Sequence, residues 1–170
     1  MYNKTTPQNI KNYLQRKHNL SISLPSRFFI VDSLNNKLHL SGETKKSSQK
    51  ILVSPFTLEP TIENMILEQN KMAKGNIYSD IKGAYLRVEE RTKLYIDSLK
   101  TTTQNNINIR GLWKMEGDFM GGGFFTTLII NPKTQEKTLV SLYLYAPGEN
   151  KANYLLDLES IWKSIKCINN

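Results

Sequence analysis

The chain has 170 residues, 39% hydrophobic and 22% charged, with a formal net charge of +8. That length supports one domain with a substantial core. No run approaches the roughly 18 apolar residues of a membrane helix, the polar start from Met1 to Pro7 has no signal-like apolar segment, and the lone Cys167 excludes an internal disulfide.

The charge is unevenly spread. Residues 1–55 hold nine Lys or Arg against Asp32 and Glu43, a balance of +7, and the rest of the chain is nearly neutral. Such asymmetry can mark a nucleic-acid surface. Here the basic residues stand singly or in pairs and no RNA-binding strand motif or finger spacing accompanies them. A solvated face, or one that meets an acidic partner, is the favoured reading.

In chain order, Thr6 as cap and Pro7 as first helical residue open a short helix with Ile10, Tyr13 and Leu14 at helical spacing, giving a helical segment over 1–19. Leu20, Ile22 and Leu24 alternate with serines as a strand ended by Pro25. Phe28 to Val31 reads as a second, more buried strand, and Asn35-Asn36 turns it into Lys37 to Leu40 as a hairpin. After a polar loop, Ile51 to Val53 resumes the sheet. Thr61 starts a helix over about 61–74, with Ile62, Met65, Ile66, Met72 and Ala73 on one stripe and Gly75 as its stop. Strands follow at Ala84 to Val88 and around Leu94 and Ile96. A polar turn from Thr101 to Asn106 leads to Ile107, Ile109, Gly111 and Trp113 on alternate positions. Phe124 to Ile130 and Lys137 to Tyr145 flank a turn at Asn131-Pro132-Lys133. A last helix over about 150–166 carries Leu155, Leu158, Trp162 and Ile165 toward the sheet. Short connections imply antiparallel pairing. The fold class is therefore α+β over 1–170, a single antiparallel sheet with N-terminal, middle and C-terminal helices packed on it.

The densest motif runs from Arg110 to Gly123. Arg110-Gly111-Leu112-Trp113, Asp118-Phe119-Met120-Gly121-Gly122, Tyr145-Ala146-Pro147 and Tyr154 to Glu159 together resemble the C-terminal half of an uncharacterised Bacteroidota family, "domain of unknown function forty-eight thirty-seven". The resemblance implies an exported, lipid-anchored protein of the periplasm or outer membrane. It also implies as partner another envelope protein or an N-terminal half that these residues do not include. Gly123 departs from the proline that family members often carry. The order of elements is also similar to the Mog1/PsbP-type α/β/α sandwich, a likeness of topology that carries little about function.

The chemistry of these residues leaves two readings open. Trp113, Phe119 and Met120 beside Gly121 and Gly122 suit a recognition edge, where backbone approaches a partner and aromatics cover it. The favoured alternative is a tight turn, with glycine supplying positive φ and Phe119 and Met120 plugging the core. Arg110 and Asp118 either brace that turn together, or Arg110 meets an external carboxylate or phosphate. The glycine run lacks a Gly-Lys-Ser/Thr ending and enters a strand, so it is no phosphate loop. Tyr143 and Tyr145 on one strand face supply a second candidate recognition surface, unless helices cover both faces.

Histidine chemistry is thin. His39 alternates outward from Leu38 and Leu40, and His18 at a helix end suits a protonated imidazole. Neither has metal-ligand spacing, so no metal, cofactor or catalytic residue is assigned. Glu116 and Asp118 form the carboxylate pair that a hydrolase or transferase reading would use. The favoured expectation is a non-enzymatic recognition or assembly module, with that enzyme and a purely structural half-domain as alternatives.

Overall fold

The computed structural model describes residues 6–77, 81–88, 95–97, 100–101, 104–148 and 151–168. Helix α1 (Gln8–His18) buries Ile10 and Leu14 and stops at Asn19, whose left-handed backbone turns the chain. Pro7, not Thr6, occupies the cap position. The Thr6 hydroxyl instead donates to the Ile22 carbonyl and accepts the Leu24 N–H, so it ties the helix entrance to the segment that follows. That segment is strand only at β1 (Leu20–Ser21), and Ile22 and Leu24 are buried as irregular backbone.

The chain continues through β2 (Phe28–Asp32), β3 (Leu38–Glu43), β4 (Ser48–Phe56), α2 (Ile62–Asn76), β5 (Tyr85–Val88) and β6 (Tyr95–Asp97). A two-strand ribbon, β7 (Lys100–Thr101) with β8 (Gln104–Asn105), precedes the long strands β9 (Ile107–Glu116), β10 (Gly121–Ile130) and β11 (Lys137–Tyr145). Helix α3 (Lys151–Lys163) and β12 (Lys166–Cys167) end it. The principal sheet has the order β2-β3-β4-β11-β10-β9-β5, with β6 also paired to β9, and every described pairing is antiparallel. The architecture is thus α+β, with one dominant antiparallel sheet. The expected strand residue Leu94 lies outside the described residues. The last helix is shorter than its apolar spacing suggests, because the chain turns at Ser164 to pair β12 with β1.

Alternation along the strands sends side chains to two separate cores. On one face α1 and α3 cover Leu38, Leu40, Ile51, Val53, Phe125, Leu142 and Leu144. Trp162 of α3 stacks on Phe125 at 4.9 Å, and its indole N–H donates to Thr127, which donates in turn to Asn108. On the other face α2 covers Leu52, Phe124, Leu128, Leu139 and Tyr143 with Met65, Ile66, Met72 and Ala73. Thr61 caps α2 by accepting the Asn64 N–H at 3.2 Å. The helix runs through Gly75, its expected stop, to Asn76, whose amide donates to the Met72 carbonyl. Thr61→Ala is expected to cost about 1 kcal/mol, measured by urea unfolding; an unchanged midpoint would show that the cap is idle.

Three local expectations are corrected. Strand β2 is an edge of the sheet, so Phe29 and Val31 are each 50% exposed instead of buried. His39 is not outward: β3 lies between β2 and β4, and the imidazole is 7% exposed. Burial, aided by Lys50 and opposed by Asp32, lowers its pKa to about 4. His18 is half-buried, and burial lowers its pKa despite a hydrogen bond to the Asn36 backbone, so the protonated helix-end imidazole is not favoured.

Candidate functional site

The β9–β10 hairpin builds the site. Trp113 points to the α2 face and is 4% exposed. Its indole N–H crosses the neighbouring strand and donates to the Leu144 carbonyl on β11 at 3.0 Å. The crossing passes over Gly122, the residue paired with Trp113. A Cβ on Gly122 would stand 1.9 Å from the Leu144 oxygen and 3.0 Å from the indole nitrogen. Glycine here admits an indole between strands.

The turn itself forms where Gly117 takes φ 88° and the Asp118 N–H donates to the Met115 carbonyl. The Asp118 carboxylate accepts the Phe119 N–H at 2.7 Å. Phe119 is fully exposed, so it plugs no core, while Met120 packs partly against the α2-side cluster. Arg110 reaches Glu159 on α3 at 3.5 Å. About 20 Å of strand separates Arg110 from the end of β9, so it cannot brace the turn with Asp118. Glu116 pairs with Lys114 at 3.2 Å and with Arg87 at 3.7 Å, and Asp118 lies beyond the strand end. The carboxylate pair is therefore not held on one strand face. No cluster of three metal-ligating side chains occurs among the described residues.

Tyr143 and Tyr145 do not form an exposed recognition surface. Tyr143 is 2% exposed beneath α2, beside Ser141 and Gln69, and burial raises its hydroxyl pKa. Tyr145 is half-buried, its ring 6.5 Å from Trp113. Alternation put them correctly on one face, but α2 occupies it.

On the opposite face, beside the start of α3, lies an apolar cleft of about 340 Å³. Gly121 to Gly123 line its floor, and Leu112, Leu144, Ala146, Lys151, Ala152 and Leu155 complete the lining. The ladder between β10 and β11 ends at Phe124 and Tyr143, while Gly121 to Gly123 stay paired with β9. Leu112 is 60% exposed, Leu155 38% and Leu156 63%. A Cβ on Gly123 would meet the Leu155 Cδ1 at 2.7 Å, which shows how closely α3 approaches the bare strand. Of the residues singled out in the sequence, Gly121 and Gly122 belong to this cleft. Trp113, Tyr143, Tyr145 and Met120 belong to the opposite core, and Arg110, Asp118 and Phe119 lie elsewhere on the hairpin. The walls were missed because Leu112 and Leu155 read as ordinary strand and helix apolar positions.

A second cavity of about 390 Å³ lies at the other end of the sheet, where Lys17, His18, Asn36, Phe56, Lys137 and Cys167 meet. The Lys137 ammonium there lies over the Phe56 ring and donates to the Leu58 carbonyl. Burial raises the pKa of the Cys167 thiol, so it is a poor nucleophile.

A sheet clad by helices on both faces, with a glycine-floored apolar cleft beside α3, defines an α+β domain. The chain belongs to the family described as Domain of unknown function (DUF4837), whose model matches residues 7–164. No curated protein matches it. Similar solved structures include the Saccharomyces cerevisiae Ran-binding protein Mog1p, with 8% identity, 89% of this chain and 91% of that chain covered, and a TM-score of 0.49. A single-residue mutant of Mog1 matches at 8% identity, with 89% and 92% covered and a TM-score of 0.48.

Proposed function

We propose that this protein is a non-enzymatic recognition module that takes an apolar side chain of a protein partner into the cleft over Gly121 to Gly123. One observation carries the reading: a glycine floor bares the sheet backbone while Leu112, at 60% exposure, stands beside it. Apolar concave sites with few polar groups are the usual form of a binding pocket. Phe119, two residues before Gly121 and fully exposed, adds an aromatic contact at the hairpin tip. Lys151 offers an ammonium to a carboxylate beside the anchoring side chain. The family resemblance supports an envelope setting and an envelope protein as the partner.

Leu112→Asp places a charge in the cleft without touching a core, because Leu112 is exposed. The variant is expected to unfold at the wild-type midpoint but to bind its partner at least about tenfold more weakly, as loss of an interface anchor does. The test compares proteins from native envelope extract retained by wild type, Leu112→Asp and Ala152→Asp. A protein retained by wild type and lost with both variants supports the reading. Identical retention by all three folded proteins overturns it.

A further inference from the structure

A second surface stands at the open edge of the sheet. Strand β2 pairs with β3 on one side and has no strand on its other side among the described residues. Between residues 29 and 34 stand three exposed large hydrophobics: Phe29 at 50%, Val31 at 50% and Leu34 at 70%. Phe29 lies opposite Ser41, on the α2 side of the sheet, yet α2 packs over β5, β11 and β4. That margin keeps its apolar side chains in water.

Exposed edges are templates for pairing, and proteins usually blunt them with Lys or Pro. The strand Phe-Phe-Ile-Val-Asp contains neither. Its one irregularity is a register shift on the β3 side, between Ile30 and Asp32. The sequence on either side of β2 is basic, and Arg16 and Asp32 both act on Tyr13 beside the end of the strand. From Thr6 to Leu40 the chain holds Lys11, Arg16, Lys17, Arg27 and Lys37 against Asp32 alone. All of these cations except Arg27 are exposed. Tyr13 donates to the Ser33 carbonyl at 3.3 Å, which holds α1 beside the end of β2.

We propose that β2 accepts an extended acidic segment of a partner protein, which adds as a further antiparallel or parallel strand and covers Phe29 and Val31. Strand addition draws affinity from main-chain hydrogen bonds and selectivity from alternate side chains. Arg16, beside Tyr13, and Lys37, at the β2–β3 turn, select acidic flanks and speed encounter. A second copy of this chain suits the edge poorly. Self-pairing brings two chains of net charge +8 together, and a register centred on Ile30 sets Phe28 opposite Asp32. This inference does not depend on the cleft.

The test uses the isotope-labelled full chain and two acetylated heptapeptides, Glu-Val-Asp-Val-Glu-Val-Asp and the same sequence with Lys at every acidic position. Amide resonances of residues 28–32 are expected to shift with the acidic peptide only, and their hydrogen exchange to slow about tenfold or more. The double variant Phe29→Ser, Val31→Ser should keep the native spectrum and bind the peptide about tenfold more weakly. Reversing Arg16 and Lys37 to Glu should weaken binding without moving the fold. Equal response to both peptides, no response to either, or shifts confined to the Leu112 cleft would overturn the proposal. Dimerisation through β2 without peptide would also overturn it, since the edge would then belong to a second copy.

Discussion

Gly122→Ala is expected to cost about 3–5 kcal/mol, from overpacking against backbone and a severed buried hydrogen bond. The added methyl would sit 1.9 Å from the Leu144 oxygen, which is main chain of β11 and cannot rotate away. Either β10 and β11 separate or the Trp113 indole loses its acceptor, and both outcomes damage a core on the α2 face. Gly123→Ala makes the control. There the obstacle at 2.7 Å is the Cδ1 of Leu155, the end of a flexible, partly exposed side chain. It is expected to cost under about 1.5 kcal/mol. Thermal unfolding separates them, with Gly122→Ala lower by about 10 °C or more. Equal midpoints would mean that the sheet yields at Gly122. Adding Trp113→Phe should not rescue Gly122→Ala, because the nearest clash is with backbone.

The second large effect is acid destabilisation through His39. The unfolded imidazole takes its proton near pH 6.5, whereas burial, aided by Lys50, holds the native one unprotonated to about pH 4. Between those values the unfolded chain binds the extra proton. Stability is therefore complete above pH 6.5 and falls as pH falls through this window, by about 2–3 kcal/mol at pH 4.5. His18, whose pKa is also lowered, acts in the same direction. Burial works to raise the Glu43 carboxyl, but hydrogen bonds from Lys50, Ser41 and Ser48 outweigh it, so its own acid loss comes at lower pH. Urea unfolding at pH 7 and 4.5 checks this. His39→Leu should remove most of the difference, and a variant that loses as much as wild type would sink the assignment.

The elements that local chemistry dictates could be read from the chain. Thr61 announced α2 because a cap is a one-turn interaction. Asn35 and Asn36 announced the β2–β3 turn because both take positive φ, at 56° and 59°. Alternation places Tyr143 and Tyr145 on one face, and both meet the core on the α2 side. What alternation cannot say is what lies above each face. Tyr143 reads as a surface candidate in the sequence because the reach of α2 across β11 is a tertiary fact. His39 reads as exposed and β2 as buried for the same reason: strand order decides which strand is the edge, and no local signal encodes it. The cleft was only half legible. Its glycines stand together in sequence, but Leu112 and Leu155 meet across 43 residues only after α3 docks.

The small ribbon of β1 with β12 sets an order of events at the ribosome. Leu20 pairs with Cys167, the Ile168 N–H donates to the Asn19 carbonyl, and Ser164 accepts the Ser23 N–H. The core under α2 draws its residues from Leu52 to Tyr145 and is complete once β11 has emerged. The core under α1 and α3 needs Trp162, Ile165 and Cys167, so α1 waits for a segment made long after it. During synthesis the nascent chain therefore carries one finished side and one bare apolar side, and that bare side is where a holding chaperone would find its grip.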